Sequence, residues 1–220
     1  FRRRILFYET VNNGHGLPHD PFKSCIVPRP IGWISTVDGN GVVNLAPYSF
    51  FNGVAYNPPT VMFSAGYSLV DGGDGMKDSL RNVLETGEFV HNFTTWDNRE
   101  AMNETCADVP PDVDELSMAG LTPLPSTIVK PPRVAESPIH FECKVVQTVE
   151  LPNTTGPDTY TVVFGEVVGV HIADDLIMEN GQIDVGKLHP ISRMGYQDYS
   201  QVTAETVFTM ERPGFHPYAK

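Results

Sequence analysis

Ile31-Gly-Trp-Ile-Ser-Thr-Val37, Asp38-Gly-Asn-Gly41 and Val42-Val-Asn-Leu45 follow one another without a gap. The outer blocks are apolar and β-branched, and the middle one holds residues that tolerate positive φ. The stretch reads as a β-hairpin. Working outward, residues 61–65 form another apolar strand, entered through Asn57-Pro-Pro59. Residues 88–94 alternate, with Phe89 and His91 on one face and Val90 and Asn92 on the other. Residues 139–151 and 160–173 are two long strands rich in Val and Phe. Two segments change period. Met76, Leu80, Val83 and Leu84 share one helical face over 76–86, and Gly87 stands where a helix-ending glycine belongs. Residues 97–107 read as a second short helix, with Asp97 and Glu100 at capping-box spacing. Many short strands interrupted by two helices predict a mainly β fold, a barrel with helical insertions.

The composition agrees. The chain has 220 residues, 40% of them hydrophobic, enough for a sizeable core and too apolar for a disordered chain. Nineteen Gly and nineteen Pro favour turns over a helix bundle. Residues 1–28 read as an irregular arm and the Pro-rich 110–138 as a loop region.

The net charge of −12 disfavours nucleic acid and anionic membranes as partners. The charge is uneven. Residues 97–115 carry seven acidic residues against Arg99, whereas residues 1–36 carry five basic residues against Glu9 and Asp20. A basic island of that kind suits a small anion, and equally a ragged basic terminus beside a solvated acidic helix. Three widely spaced cysteines, odd in number and without a CxxC, indicate reduced thiols and a cytoplasmic protein. No apolar run approaches the ~18 residues that span a bilayer.

Familiar cofactor and nucleophile motifs are missing. Gly72-Gly-Asp-Gly75 and Gly14-His-Gly16 lack the strand–turn–helix setting of a dinucleotide fingerprint, and no phosphate loop, nucleophile elbow or HExxH occurs. His15 and His19 flank Gly-Leu-Pro, a poor helix, so no metal site is expected.

Three stretches carry more chemistry. Arg29 lies between two prolines, and Pro30 biases it to an extended backbone from which the guanidinium projects. Tyr48, Ser49, Phe50, Phe51 and Asn52 stand in a row after Pro47. That run offers hydroxyl and amide groups beside apolar faces, which suits a flat heteroaromatic ligand with a polar tail. It suits equally a strand that packs Phe50 or Phe51 into the core. Lys77-Asp-Ser79 opens the first helix, where a lysine opposes the macrodipole. An anion at that helix start would resolve the conflict; so would Asp78 alone.

Together, Arg29-Pro-Ile-Gly-Trp-Ile-Ser-Thr36, Asn44-Leu-Ala-Pro-Tyr-Ser-Phe-Phe-Asn52, Asn57-Pro-Pro59 and Lys77-Asp-Ser-Leu-Arg-Asn82 resemble the flavin reductase-like family of FMN-binding split-barrel proteins. Pro190-Ile-Ser-Arg-Met-Gly-Tyr-Gln-Asp-Tyr199 is similar to that family's C-terminal Arg-x-Gly-x-x-x-Tyr segment. The matches run in family order over residues 22–200, leaving 1–21 as an N-terminal arm and 201–220 as a tail.

The resemblance implies a six-stranded antiparallel, Greek-key-like split barrel, a homodimer, and FMN near the dimer interface. By position, Ser49, Phe50, Phe51 and Asn52 would line the flavin and its ribityl chain, with Tyr48 beside them. Lys77, Asp78 and Ser79 would lie near the phosphate; Arg29, Ser35 and Thr36 would flank the same cleft; Arg193 and Tyr199 would approach from the tail. Ser79 stands where Thr is commoner, and Met194-Gly-Tyr196 replaces the frequent Leu-Gly-Gly. The implied activity is an FMN-dependent oxidoreductase that takes a hydride from NAD(P)H, a transient guest stacked over the flavin. A non-catalytic, flavoredoxin-like electron carrier would use the same binding residues.

Overall fold

The computed structural model describes residues 4–68, 75–152, 159–211 and 213–214; the glycines at 72 and 73 lie outside them. Strands β1 (Gly32–Val37), β2 (Val43–Tyr48), β3 (Phe51–Tyr56) and β4 (Pro59–Ala65) come first. Helix α1 (Asp78–Thr86) and β5 (Glu88–Asn92) follow. The helices α2 (Arg99–Glu104) and α3 (Glu115–Met118) and the short strands β6 (Pro123–Leu124) and β7 (Arg133–Val134) precede the long β8 (Ile139–Leu151) and β9 (Tyr160–Ile172). One-turn α4 (Val185–Leu188) leads to the hairpin β10 (Ile191–Arg193) and β11 (Tyr199–Gln201).

Seven strands pair antiparallel in the order β2-β1-β5-β8-β9-β4-β3. β2 and β3 stand at opposite edges, although only Ser49 and Phe50 separate them. In a flat sheet those edges would lie about 29 Å apart at ~4.8 Å per strand, and three peptide units reach only about 11 Å. The sheet must therefore roll until its edges meet. β2 and β3 are two halves of one strand bent at Ser49-Phe50, the first half pairing with β1 and the second with β4. The ladder to β4 survives into the bend, where Ser64 N–H donates to Phe50 O at 2.9 Å. Counted this way the barrel has six staves, and the α1 connection crosses it from β4 to β5 in Greek-key fashion.

The interior is filled by Ile34, Phe51, Val61, Phe63, Phe89, Cys143 and Val163, to which α1 adds Leu80 and Val83. A second cluster, with Trp33, Leu45, Met102, Leu116 and Ile191, lies between the barrel wall and the α2–α3 region. β1 is thus buried on both faces along its whole length. That explains its nearly continuous apolar sequence. Trp33 meets the second cluster with its indole N–H satisfied by Thr105 Oγ1 at 3.0 Å.

Several local expectations change. α1 ends on Gly87 as its φ of 71° requires, but Leu84 faces solvent and the buried stripe is Ser79, Leu80, Asn82 and Val83. The Asp97–Glu100 capping box does not form: α2 starts after Asn98. The Asn98 amide bonds Thr95 N–H, Phe93 O and Glu136 O instead, tying loops together in preference to capping. The returning strand β2 runs on through Pro47 to Tyr48, and the 110–138 loop region carries α3 and the β6–β7 pair.

Candidate flavin-binding groove

Three clefts follow β2 toward its bend and share walls. The first, about 110 Å³, surrounds the start of α1 and is lined by Asn44, Tyr48, Lys77, Asp78, Ser79, Cys106, Asp108 and Glu115. Lys77 is the N-cap residue, and no side chain caps this helix. The N–H groups of Asp78 and Ser79 precede the first intrahelical bonds, which run from Leu80 and Arg81 to Lys77 O at 3.0 Å. Ser79 is buried, and its hydroxyl donates to Asn44 Oδ1 at 2.7 Å; Asn44 Nδ2 in turn donates to Glu115 Oε1 at 3.2 Å. The other Glu115 oxygen accepts from Leu45 N–H at 3.0 Å. Burial pushes the Glu115 carboxyl up to about 7; hydrogen bonds from the Leu45 and Glu115 backbone oppose the rise, and Asp78 and Asp114 add to it. Burial also raises the Tyr48 hydroxyl, which stays protonated. Lys77 is not free: its Nζ lies 2.5 Å from Asp108 Oδ1. Asp78 pairs with Arg81 one turn along.

The second cleft, about 650 Å³, is cationic, with Lys23, Arg29 and Arg193 among its walls against Asp20. Arg29 is only 5% exposed. Its guanidinium donates to Lys23 O, to Ile26 O at 2.9 Å and to Met194 O at 2.9 Å. Its backbone exchanges hydrogen bonds with Arg193 at 3.0 and 2.9 Å. Arg29 therefore clamps the N-terminal arm to the C-terminal hairpin, with its two terminal nitrogens turned to carbonyls and its buried Nε–H without a partner among the described residues. Burial and, less, the neighbouring Arg193 charge lower its pKa. Arg193 stacks over the Tyr199 ring at 4.5 Å.

The third cleft, about 750 Å³, is mostly apolar, walled by Phe50, Asn52, Val54, Met62, Tyr160 and Phe164. Phe50 meets Tyr160 edge-on, with the Arg29 guanidinium 5.9 Å from its ring centre. Phe51 turns the other way, into the barrel core, where its ring lies 4.4 Å from that of His91. Burial, with His140 nearby, pushes His91 down to about 3, so it is a neutral core ring. The run after Pro47 thus does both things its sequence allows: Phe51 packs inward, while Ser49, Phe50 and exposed Asn52 face the groove.

Pro47 and Cys106 line both the first and second clefts, and Ser49, Arg29 and Lys23 both the second and third. Eleven of the thirteen expected site residues line one of the three, counting Phe51, which borders the third cleft although its ring packs into the core. Ser35 and Thr36 do not. Both are fully buried in β1, where Ser35 Oγ donates to Pro132 O at 2.5 Å and Thr36 Oγ1 accepts from Asn82 Nδ2 at 3.0 Å. A strand buried on both faces has no side chain to spare for a cleft. Sequence reading missed Asn44, Cys106, Asp108 and Glu115. The last three sit in the acidic 97–115 stretch, and its charge excess was the only sign of them.

No helix among the described residues is long and apolar enough to cross a membrane. The protein is 38% identical to an uncharacterized protein of Aquifex aeolicus, over 82% of this chain and 87% of that one. It is 32% identical to the solved structure of nitrilotriacetate monooxygenase component B from Bacillus cereus, covering 95% of this chain and all of that one, with a TM-score of 0.83. The 2-nitrobenzoate 2-nitroreductase of Pseudomonas fluorescens is 28% identical, covers 90% of this chain and 92% of its own, and superposes with a TM-score of 0.75. The flavin reductase like domain matches residues 24–187. With a rolled six-stave barrel and a groove along its bent strand, the chain belongs to the flavin reductase-like family.

Proposed function

We propose that this protein binds FMN in the groove and acts as an oxidoreductase, passing a hydride from NAD(P)H to flavin or through bound FMN to another acceptor. The observation that carries this reading is the continuity of three chemically different clefts along one strand bend. A helix start with Lys77 and Ser79 suits a phosphate, the polar wall at Tyr48 and Ser49 suits a ribityl chain, and the apolar Phe50 surface suits an isoalloxazine ring. The combined size is ample for such a ligand, whose pockets run to ~300–1,000 Å³. One feature fits less well, because Asp78, Asp108 and Glu115 share the phosphate end.

The flavin, when bound, supplies the hydride chemistry, and the protein supplies binding, orientation and electrostatics. The Lys77 ammonium and the backbone N–H groups of Asp78 and Ser79 at the helix start would hold the phosphate; Tyr48, Ser49, Phe50 and Asn52 would orient ribityl chain and ring. Phe51 supports them from inside the barrel, as Ser35 and Thr36 support the wall through Asn82 and Asn92. The cationic cleft at Lys23, Arg29 and Arg193, edged by Tyr199, receives the anionic nicotinamide nucleotide. Two copies associate through the apolar third cleft, where exposed Phe22, Ile26, Val54 and Tyr160 lie together. Its three free thiols agree with a reducing, cytoplasmic setting.

The test is spectroscopic. The purified protein titrated with FMN is mixed anaerobically with NADH or NADPH while flavin absorbance is followed. Bleaching faster than that of free FMN supports the oxidoreductase. Stable flavin absorbance with tight FMN binding would instead make the protein a carrier.

A further inference from the structure

We propose that Asp108 is a built-in competitor for the flavin phosphate, and the residue that sets how tightly this chain holds FMN. The inference rests on the reading above that places a phosphate at Lys77. Among the described residues, the cleft at the start of α1 has one lysine and three carboxyl side chains on its walls. Two of the three are occupied away from the lysine. Arg81 holds Asp78. Glu115 is buried behind Asn44 and tied to Leu45 N–H. Asp108 remains, and its Oδ1 sits 2.5 Å from Lys77 Nζ.

That carboxylate holds the ammonium a phosphate needs. Both side chains are part-exposed, 32% for Lys77 and 42% for Asp108, so charge and not packing keeps them together. Such pairs are weak and separate readily. A phosphate dianion entering the cleft must either displace Asp108 or lie beside a like charge, and both weaken its binding. Riboflavin, with no phosphate, meets neither obstacle. Asp108 therefore narrows the advantage of FMN over riboflavin and speeds flavin release. A chain tuned in this way exchanges its flavin instead of keeping it as a permanent prosthetic group.

Flavin-fluorescence titrations with FMN and with riboflavin, on the full chain, test this in wild type, Asp108→Asn, Lys77→Ala and the double variant. Asp108→Asn is expected to tighten FMN about tenfold, by removing one like charge at close range, and to leave riboflavin unchanged. Asp108→Asn should gain less in the Lys77→Ala background than in wild type, because the competition for Lys77 is gone there and only the like charge remains. If Lys77→Ala weakens FMN but Asp108→Asn leaves FMN affinity the same or lower, the competitor role is overturned and the phosphate reading stands. If Lys77→Ala leaves FMN affinity unchanged, the phosphate reading fails and takes this inference with it.

Discussion

Gly32 and Phe51 touch so closely that a Cβ on residue 32 would lie 2.4 Å from Phe51 Cδ2 and 3.0 Å from Phe51 Cβ. The contact joins β1 to the strand bend, so it sets where Phe51 packs and which way Ser49, Phe50 and Asn52 face. Gly32→Ala must push Phe51 bodily out of place, and overpacking of that kind costs ~1–3 kcal/mol. Denaturant melts should show that loss, and FMN affinity should fall with it. Wild-type stability in Gly32→Ala would mean that the bend yields and does not position the groove.

Lys77→Ala should weaken FMN binding roughly 10- to 150-fold, since a charge-assisted contact is worth ~1.5–3 kcal/mol. Folding should be barely affected, because the Lys77–Asp108 pair is part-exposed and the lysine opposes the α1 dipole. Riboflavin should bind wild type and variant alike. A variant that loses stability but keeps FMN affinity would give Lys77 a purely structural role.

Glu142 is fully buried and accepts hydrogen bonds from the N–H groups of Thr127, Ile128 and Val129 and from His171. Burial alone would raise its pKa, but the bonds from Thr127, His171, Ile128 and Val129 outweigh it and hold the carboxyl at about 2. Its unfolded value is 4.5, so its contribution to stability is present above pH 4.5 and lost as pH falls towards 2. Glu142→Gln should cost ~2–3 kcal/mol at pH 7 and flatten that part of the acid limb. Urea melts at pH 7 and pH 3 decide; an equal loss at both pH values would disprove the linkage.

His91 and His140 act in a higher window. Burial pushes them down to about 3 and about 4, from 6.5. The unfolded chain takes up protons that the folded chain refuses, so their contribution is complete above pH 6.5 and declines as pH falls below it. Glu115, raised from 4.5 to about 7, works against this trend, because acid relieves its buried charge. His91→Phe should make stability less steep between pH 6.5 and 4. An unaltered slope would place the acid lability elsewhere.

The apolar third cleft predicts a dimer. Light scattering at micromolar concentration should give about twice the 24.3 kDa of one chain. A charged residue placed on its rim, as in Val54→Glu, should shift the protein towards monomer. A 24.3 kDa species with flavin bound would show that one chain completes the groove unaided.

Local sequence determined the elements whose signals are local. Asp38-Gly-Asn-Gly41 is the β1–β2 turn because Asp38 Oδ1 accepts from the Asn40 and Val42 N–H groups within it. Residues 139–151 formed the expected strand to the residue, and Gly87 ended α1. The ligand-like run from Tyr48 to Asn52 was legible too, because hydroxyl, amide and aromatic side chains lie adjacent in the chain. A barrel was expected from the many short strands, but the strand order that closes it was not legible: β2 and β3 at opposite edges force the roll, and no single segment encodes that order. The same is true of the charge at the phosphate end. The sequence offered Asp78 as the counter-charge of Lys77, whereas the fold gives Asp78 to Arg81, brings Asp108 to Lys77 from 31 residues away and sets Glu115 behind Asn44. Ser35 and Thr36 looked available until the loop at Pro132 closed over one face of β1 and α1 over the other. Hydrogen bonding within a turn depends on neighbours in sequence, whereas burial and charge pairing depend on neighbours in space, which only the tertiary structure decides.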